Sequence, residues 1–217
     1  MIEKGKKHFE RYHGNVRHDI LHLLGSPPGR VLDVGGGLGA TAVYVKEQLG
    51  AKRAVVVDAI SAPGRNQVDK FYQGSLEDES LWERLAANEG PFDTIFCLDV
   101  LEHLVDPWAA VNRCRDLLAQ GGILIVSVPN LRHWRVTVPL LFFGRFNLRD
   151  SGILDRTHLR WFVRDTAIEL VSQEGLKLEI CQGGWYMNRY RKHEKFADLG
   201  ILPGLLYQNY FLRARKT

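Results

Sequence analysis

A glycine-rich turn preceded by an acidic residue is the part of the sequence best suited to chemistry. Residues 31–39 read VLDVGGGLG, so Asp33 comes just before a run of glycines. Glycines allow a tight turn and a close approach of the backbone to a ligand. A dinucleotide would place its pyrophosphate at the N-terminus of the next helix, where Asp33 would repel it. The turn therefore favours a ligand that carries an ammonium group.

A second acid follows the turn at the distance expected for a ribose contact. Asp58 ends the β-branched run AVVV, roughly 20 residues past the glycines, where an acid accepts hydrogen bonds from ribose hydroxyls. S-adenosylmethionine has a ribose, an ammonium group and no phosphate. Asp33 and Asp58 together predict this cofactor, with S-adenosylhomocysteine as its product, and disfavour a nicotinamide cofactor.

Acidic and imidazole side chains follow the predicted fourth strand. Asp99, Glu102 and His103 lie in the segment DVLEH, and His158 lies far along the chain in DRTH. A hydroxyl acceptor needs a base or a metal to become nucleophilic. His158 is the first candidate base, with His103 and Asp99 as further catalytic candidates. Alternatively, His158 ties a lid to the domain, while Glu102 and His103 cap a helix and hold the lid.

A metal site is a third interpretation of these residues. Two carboxylates and two imidazoles suit Mn²⁺ or a similar divalent ion. The low-ranked candidate ligands are Asp99, Glu102, His103 and His158. The set resembles the Glu-x-x-Glu-His…His set of small-RNA 2′-O-methyltransferases and the Glu-x-x-Glu-His of ubiquinone-type enzymes. No metal is favoured, because Asp99 is one carbon shorter than the glutamate of those sets.

The surrounding pattern alternates short apolar strands with helices. Strands are predicted at 30–34, 54–58, 71–76, 92–98, 123–128, 176–181 and 210–215. Helices are predicted at 7–24, 40–49, 79–88, from Asp106-Pro107 to Gly121-Gly122, and at 164–174. This order predicts a Rossmann-like, doubly wound α/β fold with a mainly parallel seven-stranded sheet and an antiparallel edge strand.

The whole chain, 1–217, is predicted to be one domain with two additions. Residues 1–28 form a helical cap, and residues 131–162 form a lid insertion after the fifth strand. Residues 131–160 show no clear period and are rich in aromatic and arginine residues. The apolar stretch VPLLFF (138–143) suggests contact with lipid or a prenyl-type substrate.

The composition limits the classes of binding partner and the cellular location that we expect. The net charge is +4, and six arginines fall within 131–160, which suits an anionic substrate or an acidic membrane surface. No RNA-binding motif is present, so nucleic acid is not expected. No apolar run reaches the ~18 residues of a membrane span, and the N-terminus is unlike a signal peptide. Three cysteines without a CxxC pair predict free thiols in a reducing cytoplasm.

Five motifs together resemble the class I S-adenosylmethionine-dependent methyltransferases. VLDVGGGLGA is similar to the first motif, Asp58 to the ribose-binding acid, FDTIFCLDVLEHLVDP to the fourth motif and LLAQGGILIVSVPN to the fifth. Gly74-Ser75-Leu76 lies where the family has Gly-Asp-hydrophobic beside adenine, with Ser75 in place of the Asp. The resemblance implies these cofactor contacts: Asp33, Gly35, Gly36, Gly37, Gly39, Asp58, Ala59, Ser75, Leu76, Leu98 and Asp99.

A narrower resemblance concerns the acceptor. LEHLVDP, VPNLRHW, FGRF and GILDRTHLRWF are similar to methyltransferases encoded with cell-surface polysaccharide enzymes, and EHLxDP is shared with ubiquinone-type O-methyltransferases. This implies a small-molecule, sugar or glycolipid-precursor acceptor, methylated at oxygen. The alternatives are a metal-dependent RNA 2′-O-methyltransferase and a non-catalytic module that binds S-adenosylmethionine.

Overall fold

The computed structural model describes residues 15–25, 27–60, 67–184 and 203–217. Within these ranges seven strands form one sheet. The strands are β1 (Arg30–Val34), β2 (Arg53–Asp58), β3 (Lys70–Gln73), β4 (Phe92–Leu98), β5 (Leu118–Pro129), β6 (Leu176–Gly184) and β7 (Asn209–Lys216). The helices are α1 (Ala40–Leu49), α2 (Glu79–Asn88), α3 (Pro107–Leu117), α4 (Trp134–Phe143), α5 (Arg164–Val171) and α6 (Pro203–Leu206). Two 3₁₀ helices are η1 (His18–Leu23) and η2 (Leu101–His103).

The strand order is β3-β2-β1-β4-β5-β7-β6. Strands β1 to β5 are parallel, and β7 runs antiparallel to both β5 and β6. The predicted doubly wound α/β fold is confirmed, with the antiparallel strand second from the edge. Strand order reverses between β1 and β4, and ligands of such sheets bind at the carboxyl ends of the strands beside this switch point.

Alternating side chains of the strands build a core on each face of the sheet. Leu124 and Val126 of β5 belong to a core cluster that includes residues of α2, α3 and α5, while Ile123 and Ile125 belong to a second cluster that includes residues of η1. Because both faces are covered, the central strands are apolar at nearly every position. This core holds the carboxyl ends of β1, β2 and β4 in fixed register.

Several element boundaries differ from the prediction. Strand β3 ends at Gln73 rather than at residue 76, and α5 ends at Val171 rather than at 174. Helix α3 ends at Leu117, and Gly121-Gly122 lie inside β5, because Leu118 already pairs with Phe92 across β4 and β5. That pairing is a tertiary contact, which the local residues that end a helix, such as glycine, do not predict.

The secondary structure of the two predicted additions also differs from the prediction. Of the helix predicted at 7–24, residues 7–14 lie outside the described residues, and the described part is helical only over η1, as a 3₁₀ helix. The insertion at 131–162 was predicted without regular structure but contains α4. Most apolar side chains of α4 are exposed to solvent. The helix therefore lacks the one-sided apolar pattern by which the sequence predicts a helix packed on a core.

None of the helices in the described ranges is long and apolar enough to cross a lipid bilayer.

Candidate active site

The glycine turn is held in the conformation that its glycines were expected to supply. Gly35, Gly37 and Gly39 all have positive φ, and the Gly35 N–H donates to the Val57 carbonyl at 2.8 Å. A Cβ at Gly35 would lie 2.4 Å from a Val100 methyl group. At Gly36 a Cβ would lie 2.6 Å from Cγ of Asp33. These glycines therefore leave room for the Asp33 carboxyl group and keep the backbone of the turn open.

Asp33 is a buried carboxyl group with no hydrogen-bond donor among the described residues. Only 2% of the residue is exposed. Burial, followed by repulsion from Asp58, raises the pKa of Asp33 to about 7, and the charge of Arg17 opposes this rise. A buried carboxyl without a donor is costly unless a ligand supplies one. A contact between Asp33 and the ammonium group of S-adenosylmethionine stays a prediction.

Asp58 is oriented by the backbone of the neighbouring turns. Its Oδ2 accepts the Gly37 N–H at 2.7 Å, and its Oδ1 accepts the Ile60 N–H at 2.9 Å. Each carboxylate oxygen can accept a further bond, so both remain available to ribose hydroxyls. Ala59 is exposed directly after Asp58. The residues predicted around the ribose therefore meet at one edge.

The predicted adenine contacts lie on the next turn along the same edge. The Gly74 N–H donates to the Asp58 carbonyl at 3.1 Å, which brings the β3 turn beside β2. Ser75 is exposed and its hydroxyl accepts the Glu77 N–H at 3.2 Å, whereas Leu76 is buried. Ser75 and Leu76 follow β3 rather than belonging to it.

Asp99 follows the partly buried Leu98 at the end of β4 and is fixed by three other residues. Its Oδ2 accepts from Arg17 at 2.6 Å, and its Oδ1 accepts from Ser127 at 2.7 Å and from Asn209 at 2.8 Å. Asp99 has a positive φ of 52°, rare for a non-glycine residue. These bonds engage both carboxylate oxygens and place Asp99 outside the histidine cluster described below.

Arg17 is a site residue that the sequence did not reveal. Besides the bond from its guanidinium group to Asp99, the backbone N–H of Arg17 donates to the Thr41 hydroxyl at 3.1 Å. Its guanidinium group also pairs with Asp19 at 2.9 Å. The segment before η1 thereby reaches the strand ends and the first turn of α1. No local motif marks Arg17, because its partner Asp99 lies 82 residues away.

Glu102, His103 and His158 come together as a cluster. One donor atom from each lies within 4.8 Å of the others, and Asp99 does not belong to this group. Nε2 of His158 is 3.9 Å from Oε1 of Glu102, and the two imidazole rings stack edge-to-face at 4.7 Å. Of the four residues considered as metal ligands, three are thus in position to share an ion.

Contacts with Ile153 and Thr157 of the insertion orient both imidazoles. Nδ1 of His158 donates to the Ile153 carbonyl at 3.1 Å. Nδ1 of His103 lies 3.1 Å from the Thr157 hydroxyl, which itself donates to Asp155 at 2.7 Å. With Nδ1 occupied as a donor, Nε2 of a neutral imidazole carries the lone pair. Burial, and then the nearby His103, lower the pKa of His158, so its imidazole is neutral at pH 7.

Glu102 is the most deeply buried member of the cluster. It is 1% exposed, and its Oε2 has no hydrogen-bond partner among the described residues. Burial, followed by the charge of Asp99, raises the pKa of Glu102 well above its usual range. Its carbonyl accepts the N–H groups of Leu159 and Arg160 at 2.8 and 3.0 Å. The backbone of Glu102 therefore joins η2 to the returning end of the insertion.

We call the strand ends that carry Asp33, the glycine turn and Asp58 the cofactor edge. The fold and this edge are those of a class I S-adenosylmethionine-dependent methyltransferase. The family model described as Methyltransferase domain matches residues 8–179, and the chain belongs to this family. The resemblance seen in the sequence motifs is confirmed.

Individual relatives agree with this assignment. Ubiquinone biosynthesis O-methyltransferase of Xylella fastidiosa (strain M23) is 35% identical over 118 residues, which are 53% of this chain and 48% of the relative. The chain thus matches about half the length of that curated relative. A solved S-adenosylmethionine-dependent methyltransferase from Thermotoga maritima, described as a possible histamine N-methyltransferase, shares the fold with a TM-score of 0.64 at 17% identity, covering 99% of this chain and 96% of the other.

A third comparison includes a bound product. The 1,6-didemethyltoxoflavin-N1-methyltransferase of Burkholderia thailandensis, solved with S-adenosylhomocysteine, has a TM-score of 0.57 at 18% identity and covers 92% of this chain and 75% of its own. At this identity the likeness concerns the fold.

Proposed function

We propose that this enzyme transfers a methyl group from S-adenosylmethionine to a hydroxyl oxygen of a small-molecule, sugar or glycolipid-precursor acceptor in the cytoplasm. The observation that carries the proposal is the convergence of Glu102, His103 and His158 after β4. The name of the Xylella relative, an O-methyltransferase, points in the same direction.

The cofactor would be held along the β1, β2 and β4 ends. Asp33 would accept the ammonium group, Asp58 the ribose hydroxyls, and the glycine turn would follow the cofactor closely with its backbone. The bound cofactor supplies an electrophilic methyl group on a sulfonium. The protein's task is to orient the acceptor oxygen and exclude water.

The two histidines would assist the acceptor. Nδ1 of each ring contacts the insertion, and an imidazole nitrogen is a suitable base for a weakly acidic hydroxyl. His103 is the more accessible of the pair, because His158 is only 6% exposed. We therefore propose that His103 Nε2 takes the hydroxyl proton and that His158 and Glu102 position it.

The proposal is tested by comparing the turnover of the wild type with that of variants that bind the cofactor with the same affinity. A panel of phenols, sugars and glycolipid precursors is incubated with the enzyme, and S-adenosylhomocysteine release is followed. His103→Ala is expected to lower kcat by about 10²–10⁴, the usual contribution of a general base, with the calorimetric Kd for S-adenosylhomocysteine unchanged. His22→Ala, an exposed histidine on η1, is the matched control. Equal turnover by His103→Ala and the wild type would refute a catalytic role.

A divalent metal held by Glu102, His103 and His158 is a second candidate. The unpartnered Oε2 of Glu102 favours it, since an ion would give that buried atom a ligand. Carboxylate and imidazole donors suit Mn²⁺. Calorimetric Mn²⁺ binding by the wild type, absent in Glu102→Gln, together with activity lost on chelation and restored by Mn²⁺, would select this mechanism over the metal-free base.

A further inference from the structure

Helix α4 exposes large apolar side chains to solvent. Leu141 is 77% exposed, Phe142 70% and Phe143 66%, while Val136 is the buried residue of the helix. Its remaining exposed apolar side chains, and those nearby, are Trp134, Val138, Leu140, Phe146 and Leu148. Four consecutive large apolar side chains, Leu140 to Phe143, are exposed, and such exposure favours an interaction site over an ordinary surface.

The same stretch is cationic and lacks acids. Residues 131–149 contain four arginines and no aspartate or glutamate. The guanidinium groups of Arg135 and Arg145 lie over the rings of Trp134 and Phe143, each 5.4 Å from the ring centroid. The carboxylates nearest in sequence are Asp150, which pairs with Arg156, and Asp155, which accepts the backbone N–H and the hydroxyl of Thr157. Aromatic side chains thus share one surface with Arg135, Arg145 and Arg149, which are exposed and form no ion pair with a described carboxylate.

We propose that α4 and the following residues 144–149 form a docking surface for an anionic lipid bilayer. A helix with exposed aromatic and leucine side chains and flanking arginines buries its apolar face at the level of the lipid headgroups, where the arginines meet phosphates. A second copy of the chain is a poorer occupant. A two-fold contact would bring the same arginines of both copies together, with no acid in the surface to neutralise them.

The position of this surface relates it to the histidine cluster. The insertion leaves the sheet after Asn130 and returns at Phe162, where the Leu131 N–H donates to the Phe162 carbonyl at 2.8 Å. His158 lies on the returning limb, and α4 lies on the outgoing limb. Docking of α4 would therefore bring the bilayer to the insertion that completes the cluster. Bilayer binding itself does not depend on methyl transfer and can be tested separately from the proposed function.

The experiment is vesicle co-sedimentation of the full chain. Wild type is expected to bind vesicles of phosphatidylcholine with phosphatidylglycerol more tightly than phosphatidylcholine alone. Leu141→Asp with Phe142→Asp is expected to lower the partition coefficient at least about tenfold on both. Leu49→Asp, at an apolar position 40% exposed at the end of α1, is the matched control and should bind like the wild type.

The electrostatic part is tested with a second set of variants. Arg135→Gln, Arg145→Gln and Arg149→Gln combined should weaken binding to anionic vesicles by about 100-fold, at about fivefold for each arginine, and change binding to neutral vesicles little. Lys52→Gln, Lys70→Gln and Lys177→Gln remove the same charge elsewhere and are the control. Circular dichroism and affinity for S-adenosylhomocysteine confirm that each variant is folded.

Two results would overturn the proposal. One is wild type that remains in the supernatant with anionic vesicles. The other is a wild-type dimer in sedimentation velocity that Leu141→Asp dissociates, with no vesicle binding, which would assign the surface to a second copy.

Discussion

At the residue scale, Asp33 is a buried carboxyl that lowers stability when it is ionised and that we propose binds the ammonium group of the cofactor. Its carboxyl is surrounded by Asp58 on β2, Arg17 before η1 and Cys97 on β4, and it accepts no hydrogen bond from the described residues. Because its folded-state pKa of about 7 exceeds the ordinary 3.8, folding favours the protonated form. The ionised carboxyl therefore destabilises the ligand-free protein. This penalty is absent below the ordinary pKa and complete above about pH 7.

Asp33→Asn should consequently have opposite effects on stability and on binding. At about pH 8 the free energy of unfolding of the ligand-free protein should rise by about 2–4 kcal/mol, since one pKa unit corresponds to about 1.4 kcal/mol. Affinity for S-adenosylhomocysteine should fall at least about tenfold. In the wild type that affinity should increase from about pH 6 to about pH 8, as Asp33 ionises, and in the variant it should be flat.

Urea unfolding and calorimetry at both pH values measure these effects. Asp116→Asn, an exposed acid at the end of α3, is the control and should change neither quantity. Undiminished affinity in Asp33→Asn would show that this carboxyl does not receive the ammonium group.

At the scale of single elements, local sequence signals defined the helices that have caps. Asp106 before Pro107 predicted the start of α3, and the Asp106 carboxylate indeed accepts the Ala109 N–H at 2.9 Å. Gly50, in the left-handed conformation, ends α1 where predicted. Capping is decided by neighbours in the chain, and it is therefore readable from the sequence.

Tertiary contacts decided what the sequence did not show. Strand β5 begins five residues before the predicted 123 because Leu118 pairs with β4, and α4 was missed because its apolar side chains meet no core. In the site, the positions of Asp33 and Asp58 followed from the motif. Asp99 instead accepts a hydrogen bond from Arg17 and does not belong to the histidine cluster. This contact joins residues far apart in the chain, so the sequence did not predict it.

The cap of α3 gives a prediction at this scale. Asp106→Ala removes the acceptor of the Ala109 N–H and should lower the free energy of unfolding by about 1 kcal/mol, measured by urea denaturation. Asp116→Ala, one residue before the end of the same helix, should cost nothing or stabilise slightly, because an acid there opposes the helix dipole. Equal losses in the two variants would mean that helix propensity rather than capping dominates.

At the scale of the whole molecule, the proposed cofactor edge and the proposed acceptor region are built from different parts of the chain. Asp33, the glycine turn and Asp58 stand on β1 and β2 and depend on the sheet's own core. The acceptor region combines Glu102 and His103 with the insertion, whose two ends meet through the parallel bridge between Asn130 and Phe162. The two ends of the insertion are therefore adjacent, and the strands of the sheet can pair with one another without it.

Replacing residues 132–161 by a short Gly-Ser linker should therefore leave the cofactor edge intact. We expect cooperative unfolding and affinity for S-adenosylhomocysteine within about threefold of the wild type, less than 1 kcal/mol, because the deleted segment contributes little to the main core. Turnover should be abolished, since His158 and the bonds that orient His103 and Glu102 are removed. Binding to anionic vesicles should disappear as well. Calorimetry, the turnover assay and co-sedimentation on the same preparation check all three outcomes, and loss of cofactor binding would show that the insertion also shapes the cofactor edge.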